Sequence, residues 1–354
     1  MISKNKRNSS FELLRIISIM MIIAFHYTFK GGFDFSSGGV FLNKIIFDVV
    51  YYFGEWGVNL FILISGYFLT DTIYKKEKLL CIILETLFYI ILCRAILVHL
   101  HLAQWSQWRI LDFMFPILLP KYWFVTAYVL IYLISPYLKV MVEHINQKEF
   151  IRLLVLWFAI WSFFPTVIQG YLYGGTDIEA TQNYNRFIWL IGIYLCGCYF
   201  RIRGVPKALD SLRSRGIFLV SVCVSLLLYI LAIESGINIG GKSAVYFWTP
   251  NSIIEVALSI SLFLFFEKIH ISYIPIINAI ASCTLGIYMI HDGELVSVWW
   301  GMVFKNASHQ NSRFFLIHIG IAVAVIMTVG ICCEYIRKII ENKIVLPTVR
   351  KYLK

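Results

Sequence analysis

The sequence predicts an all-α fold class, a polytopic membrane bundle of about ten transmembrane helices. Of the 354 residues, 59% are hydrophobic and only 14% are charged, whereas soluble domains carry about 25% charged residues. The apolar residues form separate runs of about the length that crosses a bilayer. The basic residues gather in alternate connections between those runs, which is the charge distribution of a multi-pass membrane protein.

Ten segments are long and apolar enough to cross the hydrocarbon core, which takes about 20 residues of helix. We expect each of them to be helical because an open strand leaves its backbone groups unsatisfied in lipid. The ten segments are 11–29, 46–70, 79–101, 121–140, 150–168, 186–203, 216–234, 250–268, 276–300 and 313–336.

The connections leave no room for an appended soluble domain. The stretch 103–120 is apolar but short and holds two prolines, so we expect an interfacial or re-entrant loop. The first apolar run lacks an A-x-A-like cleavage site and is followed by further spans, so we expect it to remain as the first helix. Residues 1–354 are therefore predicted to form a single transmembrane domain.

The basic residues also predict the orientation of the chain. Ten spans put both termini on one side of the membrane, and with that side in the cytoplasm the inner regions hold 21 Lys and Arg residues and the outer regions hold 8. This excess predicts cytoplasmic termini in the plasma membrane. The net charge of +11 thus indicates orientation and contact with anionic membrane lipids, rather than nucleic-acid binding.

The cysteines give no sign of a metal site. All eight lie in or beside apolar segments, where cysteine commonly serves as a small buried hydrophobe. Cys196 and Cys198 are separated by one residue, whereas common zinc and redox pairs have a spacer of two. We expect no metal and no permanently bound cofactor. The sequence leaves the oligomeric state open.

The first segment, ELLRIISIMMIIAFHY, carries three polar residues in an apolar run. Arg15 and His26 are eleven residues apart, which on a helix is about 20° from a whole number of turns and about 16 Å along the axis. Glu12 falls on the same side, three residues before Arg15. One interpretation is that Arg15 snorkels to the interface while His26 bonds a neighbouring helix. The other is that both line one cavity, since ionisable groups at this depth are functional candidates.

A second group of candidates lies later in the chain. Tyr288 and His291 are three residues apart and share a helix face, which fits either a packing pair or a binding group. Arg94 lies within a span and has no partner evident from the sequence. Trp123 fits an outer aromatic belt, and its ring also suits stacking on a sugar.

These residues occur in an ordered set of segments that resembles the acyltransferase-3 family of membrane-bound acyltransferases. The first helix carries an arginine and a histidine separated by ten residues, which is similar to that family's signature. This chain differs at Asn59, where many members carry aspartate, and we expect no counterpart of the extracytoplasmic hydrolase-like domain that many members carry. The other matching segments are GVNLFILISGYFL (57–69), KYWFVTAYVLIYLISPYL (121–138), IGIYLCGCYF (191–200) and ASCTLGIYMIH (281–291).

The resemblance implies an O-acetyltransferase that moves acetyl from cytoplasmic acetyl-CoA to a hydroxyl of a bacterial cell-envelope or exported polysaccharide, or of its lipid-linked precursor. Arg15, oriented by Glu12, is then expected to bind the phosphates of the donor. His26 is expected to act either as general base or as an acyl relay.

The remaining candidates have supporting roles in this scheme. Arg94 is a second candidate for donor binding. Tyr288, His291 and Trp123 are expected to bind the acceptor or to support His26.

A transporter or flippase of a glycan or lipid intermediate is the main alternative, because helices with buried charges suit that class too. The sequence shows no paired halves with matching broken helices, which is the pattern of many transporters. Formation of O-acetyl glycan from labelled acetyl-CoA separates the two functions.

Overall fold

The computed structural model describes residues 9–36, 38–69, 75–105, 122–173 and 186–345. Within these ranges every regular element is helical, which confirms the predicted class. The α-helices are α1 (Ser9–Phe29), α2 (Phe41–Tyr51), α3 (Phe53–Leu69), α4 (Lys76–His99), α5 (Trp123–His144), α6 (Gln147–Phe158), α7 (Arg186–Arg203), α8 (Leu212–Glu234), α9 (Ile253–Lys268), α10 (Pro275–Ala281), α11 (Thr284–His291) and α12 (Phe315–Ile340).

Seven helical stretches in the described ranges are long and apolar enough to cross a membrane. In two of them helices run almost end to end: α2 leads into α3, and α6 continues in wider π-helical turns over Ala159–Leu172. The count of ten is not confirmed. The predicted loop at 103–120 lies outside the described residues from position 106 onward. The predicted cytoplasmic termini, at 1–8 and 346–354, are outside them as well.

The three other predicted spans differ from a simple crossing for separate reasons. Helix α7 has the predicted bounds but carries three arginines at its ends. Helix α9 has 16 residues, fewer than the roughly 20 that a straight crossing needs. The segment predicted as a single helix over 276–300 is broken into α10, α11 and shorter turns.

The breaks in this last segment have local causes. Helix α10 ends at Ala281, and Ser282 and Cys283 form a turn, with ψ angles of −6° and −3°, before α11 begins. Helix α11 ends at His291, because Asp292 is extended and Gly293 has a φ of +67°, a conformation that favours glycine. Discontinuous helices in membrane proteins are tolerated where they are buried in protein or line a cavity.

Helix α1 forms the centre of the bundle. About 72% of its spanning window is buried inside the protein, compared with 11% for α8 at the periphery. It packs against α3 at Gly57, where a Cβ atom would lie 2.7 Å from the carbonyl oxygen of Ser18. The small residue therefore allows the two backbones to approach closely, as is common between helices in bilayers.

A second close contact joins α3 to α7. A Cβ at Gly66 would lie 2.0 Å from the carbonyl oxygen of Tyr194, and a Cβ at Gly197 would lie 2.2 Å from that of Leu63. The two glycines thus permit backbone contact from both sides of the interface. These contacts make α1, α3 and α7 a tightly packed unit that holds the walls of the site described below.

Three helices begin with side-chain caps that the sequence supplies. Helices α6, α8 and α9 follow Asn146, Ser211 and Ser252, and each of these side chains accepts a hydrogen bond from the backbone N–H three residues further on. Such caps satisfy donors that the first helical turn leaves unpaired, and each contributes about 1 kcal/mol.

An ionic network joins α12 to α4. The Arg337 guanidinium donates to both oxygens of Glu334, at 2.8 and 2.7 Å, and to Glu341 at 2.8 Å. The Glu85 carboxylate lies 3.5 Å from Arg337, and the Tyr89 hydroxyl donates to Glu334 at 3.0 Å. A buried arginine needs this number of acceptors to offset the loss of hydration.

Candidate active site

A cavity of about 1030 Å³ lies between α1, α3 and α11. Its wall includes Arg15 and His26 of α1, so both residues border the same space. Because they are about 16 Å apart along the helix axis, the cavity has an Arg15 end and a His26 end. The shared helix face of Arg15 and His26 thus faces a hollow within the protein.

The Arg15 end carries both signs of charge. Nη1 of Arg15 donates to the two carboxylate oxygens of Glu12, each at 3.2 Å. Lys78 and Glu85 of α4 also line the cavity. The break at Ser282 forms another part of the wall.

At the His26 end two histidines form a buried pair. Nδ1 of His26 lies 3.0 Å from Nε2 of His291, and Nδ1 of His291 lies 2.6 Å from the carbonyl oxygen of Ile287. His26 is 8% exposed and His291 is fully buried. Helix α11 delivers His291 as its last residue.

The hydrogen bonds of this pair determine its neutral tautomers. A carbonyl oxygen can only accept, so Nδ1 of His291 must carry the proton that it donates to Ile287. In the neutral imidazole, Nε2 of His291 is then an acceptor, and Nδ1 of His26 donates to it. Nε2 of His26 therefore keeps its lone pair. Because His26 lines the cavity, this nitrogen is available to a ligand there as a base or nucleophile.

Two ion pairs flank the histidines. The Lys30 ammonium donates to the Asp292 carboxylate at 2.5 Å, and Asp292 lies within electrostatic range of both His26 and His291. A carboxylate in this position stabilises positive charge that develops on the pair when His26 takes up a proton. Lys30 and Asp292 both line the cavity.

The second ion pair joins Arg186 to Glu55. Nη2 of Arg186 lies 3.5 Å from Oε1 of Glu55. The Arg186 guanidinium also lies over the ring of Trp123, 5.0 Å from its centroid, in a cation–π contact. All three residues line the cavity. The packing of α3 on α1 explains the position of Glu55, since a Cβ at Gly54 would lie 2.2 Å from the ring of Phe25.

Tyr288 completes this part of the wall. It lies on the cavity surface, and its ring contacts those of His291, Phe124 and Tyr122. Among the described residues its buried hydroxyl makes no hydrogen bond of regular geometry, although the Asp292 carboxylate and the Phe124 backbone lie near it. The hydroxyl is therefore a donor that is available to a ligand near His26.

The structure brings most of the residues predicted from the sequence to this cavity, but Arg94 lies elsewhere. Glu12, Arg15, His26, Trp123 and Tyr288 line it, and His291 contacts His26 from behind. Nε of Arg94 lies 3.5 Å from the carboxylate of Glu294. Glu294 follows Asp292, so Arg94 stands near the His26 end and not beside Arg15.

Sequence reasoning did not single out several residues of the site, namely Lys30, Glu55, Lys78, Glu85 and Arg186. Glu55 had a usable signal, because it is a carboxylate within an apolar run. Lys30 and Arg186 looked like ordinary loop charges, and only the tertiary fold places them at the cavity. In the described residues, no group of three or more His, Cys, Asp or Glu side chains is arranged to hold a metal ion.

Comparison with known proteins gives one match. A family model described as an acyltransferase domain, that of the acyltransferase-3 family, matches residues 8–334. Searches of curated proteins and of solved structures gave no match. The matched range contains α1 to α11 and most of α12, and with them every residue of the cavity wall. The chain therefore belongs to the acyltransferase-3 family of membrane acyltransferases.

Proposed function

We propose that this membrane acyltransferase transfers acetyl from acetyl-CoA to a hydroxyl of a bacterial cell-envelope or exported polysaccharide, or of its lipid-linked precursor. The observation that carries the proposal is the single cavity that joins the Arg15 guanidinium to the free Nε2 of His26. The two groups match the two ends of the donor, a phosphate-rich nucleotide and a distant thioester.

The donor enters at the Arg15 end with its phosphates against the basic side chains. Arginine binds phosphate through two parallel hydrogen bonds, and Glu12 holds the guanidinium in place at 3.2 Å. Lys78, which also lines the cavity, supplies a second cation. The flexible arm of the coenzyme then runs along the cavity and brings the thioester towards His26.

The reaction uses His26 as general base. Nε2 takes the proton from the acceptor hydroxyl as its oxygen attacks the thioester carbonyl, so that a C–O bond forms. Tyr288 donates a hydrogen bond to the oxyanion of the tetrahedral intermediate. The C–S bond then breaks, the thiolate leaves, and the imidazolium returns the proton to its sulfur. Asp292 stabilises the imidazolium between these steps.

The orientation follows from the basic residues. With the Arg15 end towards the cytoplasm, the donor reaches the cavity from the compartment that supplies it, and the termini lie on the same side. The His26 end then faces the outer half of the plasma membrane, where a lipid-linked or exported glycan meets the activated acetyl group.

The test uses membranes that contain the full chain, with acetyl-CoA labelled in the acetyl group. We expect labelled glycan with the wild type and its loss with His26→Ala. At acetyl-CoA concentrations below the wild-type KM, we expect Arg15→Ala to lower transfer roughly tenfold or more, while both variants reach the membrane in normal amounts. His144→Ala is the matched control, since His144 is exposed and bonds only the carbonyl of Val140 in its own helix. Transfer that survives His26→Ala would overturn the mechanism.

The same assay separates the general base from an acyl relay. Rapid quenching of the wild type in the absence of acceptor, followed by mass spectrometry of peptides that contain His26, shows whether that residue carries acetyl. An unmodified peptide is expected for a general base, whereas acetylated His26 would establish the relay. Wild-type membranes that transport labelled glycan without acetylating it would identify the protein as a transporter or flippase.

A further inference from the structure

Glu55 is a charged group of the cavity to which the proposed chemistry assigns no role. It lies in α3, is 3% exposed, and lines the same cavity as His26. Its Oε2 has no hydrogen-bond partner among the described residues. Its Oε1 is 3.5 Å from the Arg186 guanidinium, which is a long ion pair. A buried carboxylate with an open acceptor position carries a substantial energetic cost unless a donor reaches it.

The surroundings of Glu55 indicate what kind of donor fits. Trp123 lies under Arg186 on one side. Trp248 lines the cavity as well, with its ring 6.0 Å from that of Phe25, and its buried Nε1 has no hydrogen-bond partner in the described part of the chain. The wall thus combines aromatic rings with the open acceptor of Glu55 and the open donor of Trp248. A hydroxyl group satisfies either of them, because it both donates and accepts.

We propose that Glu55, positioned by Arg186, is an acceptor-binding residue that selects molecules with a second hydroxyl beside the one that reacts. The reacting hydroxyl gives its proton to His26, and the neighbouring hydroxyl donates to the Glu55 carboxylate. The terminal torsion of a glutamate is broad and roughly two-fold, so rotation presents either oxygen to the ligand. The ring that carries both hydroxyls packs against the tryptophan side chains, as apolar faces do in binding pockets.

This inference rests on the proposed function and narrows its acceptor. A monohydric alcohol, such as a long-chain alkanol, reaches His26 but leaves the Glu55 carboxylate without a donor. A sugar with vicinal hydroxyls satisfies both groups. The site therefore favours vicinal diols over single alcohols. A buried charged group that lacks its hydrogen bond loses more binding free energy than the hydrogen bond contributes when it is present.

The experiment uses the purified full-length protein in lipid nanodiscs with acetyl-CoA labelled in the acetyl group. Three acceptors are compared: water, which releases labelled acetate, n-octanol, and a panel of methyl glycosides with their single-deoxy analogues. The variant is Glu55→Gln. The control is Glu234→Gln, since Glu234 is also a mostly buried carboxylate in an ion pair, with Lys44, but does not line the cavity.

We expect the wild type to acetylate methyl glycosides in preference to n-octanol and to the deoxy analogues that lack the neighbouring hydroxyl. In Glu55→Gln the kcat/KM for the glycosides falls roughly tenfold or more, which corresponds to loss of a hydrogen bond to a charged group. Acetate release and the KM for acetyl-CoA stay at the wild-type level, because water has no second hydroxyl to lose. Glu234→Gln behaves as the wild type with every acceptor.

Two results would overturn the inference while leaving the acetyltransferase intact. One is wild-type glycoside kinetics in Glu55→Gln, and the other is equal use by the wild type of glycosides and their deoxy analogues. A wild-type protein that releases no acetate and acetylates no acceptor would instead overturn the proposed function, and the inference with it.

Discussion

Nδ1 of His26 and Nε2 of His291 lie 3.0 Å apart, although the two residues are 265 positions apart in the chain. Helix α11 carries His291 as its last residue, and the extended Asp292 and the left-handed Gly293 follow it. Asp292 lies on the cavity wall, where it pairs with Lys30. The end of α11 thus supplies both the partner of His26 and the carboxylate that flanks the pair.

The first prediction concerns this support. His291→Ala removes the acceptor for Nδ1 of His26, so the imidazole loses both its orientation and its tautomer. We expect kcat to fall about 10²-fold or more, with little change in the KM for acetyl-CoA. His291→Gln retains more activity than His291→Ala, because its amide oxygen accepts the same hydrogen bond.

The measurement is the initial rate of acetyl transfer over a range of acetyl-CoA concentrations, with membrane protein quantified by immunoblot. A wild-type kcat in His291→Ala would show that His26 needs no partner. The tautomer argument would then fail, even if His26 itself proved essential.

The second prediction concerns the donor. Arg15→Ala removes the guanidinium group that binds phosphate in the proposed mechanism. We expect the KM for acetyl-CoA to rise roughly tenfold or more, because charge-assisted hydrogen bonds are lost. Arg15→Lys gives an intermediate KM because it keeps the charge and loses the planar geometry. Binding of labelled CoA to purified protein provides a direct measurement that does not require an acceptor.

The control for this variant is Lys139→Ala, which removes a cation that pairs with Glu143 of the same helix and lies away from the cavity wall. It should leave the affinity for CoA unchanged. An unchanged affinity in Arg15→Ala would mean that the phosphates bind elsewhere.

The parts of the site that sequence alone predicted are those that depend on a single helix. Helical periodicity places Arg15 and His26 on one face, and the structure puts both on the cavity wall. The same rule paired Tyr288 with His291. The bounds of α7 also agree with the hydrophobic run, because charged residues stand at both of its ends.

The parts that sequence missed depend on contacts between helices. Glu55 reaches the cavity that His26 also lines because Gly54 allows α3 to approach Phe25, and no local pattern encodes that register. Lys30 pairs with Asp292 across 262 positions. The hydropathy of the sequence does not indicate the break after His291, because the run 276–300 remains apolar on both sides of it. Hydropathy measures the capacity to lie in lipid, and it does not detect a turn that other helices cover.

The third prediction concerns Tyr288. Tyr288→Phe removes the hydroxyl that we assign to the oxyanion and keeps the ring and its aromatic contacts. We expect kcat to fall roughly 10²-fold, as for the loss of one oxyanion donor, while the thermal stability of the protein and the KM for acetyl-CoA remain close to the wild type. A lower melting temperature with an unchanged kcat would assign Tyr288 to packing instead.

The fourth prediction concerns the packing of α3 on α7. Gly66→Ala places a methyl group where the carbonyl oxygen of Tyr194 lies 2.0 Å away, so the helices must separate. We expect a loss of about 1–3 kcal/mol in the free energy of unfolding, measured in detergent micelles by urea denaturation. Gly320→Ala in α12 is the matched control, because a Cβ there meets nothing within 4 Å.

The control also has an expected sign. Alanine has a higher helix propensity than glycine by about 1 kcal/mol, so Gly320→Ala should be neutral or slightly stabilising. If Gly66→Ala behaved in the same way, the close approach of α3 and α7 would not exist in the membrane, and the position of the cavity wall would need revision.

The fifth prediction separates a structural arginine from a donor-binding one. Arg94 was a candidate for donor binding on sequence grounds, but it pairs with Glu294 at 3.5 Å near the His26 end and is absent from the cavity wall. Both side chains are largely shielded from solvent, at 13% and 19% exposed.

Removing one partner leaves the other charge poorly compensated. Arg94→Gln should therefore lower the stability of the protein by about 1–3 kcal/mol and leave the affinity for labelled CoA unchanged. The double variant Arg94→Gln/Glu294→Gln should recover part of that stability, because both charges of the pair are then removed. Weakened CoA binding in Arg94→Gln, without loss of stability, would show that this arginine binds the donor. The coenzyme would then lie deeper in the bundle than the position of Arg15 implies.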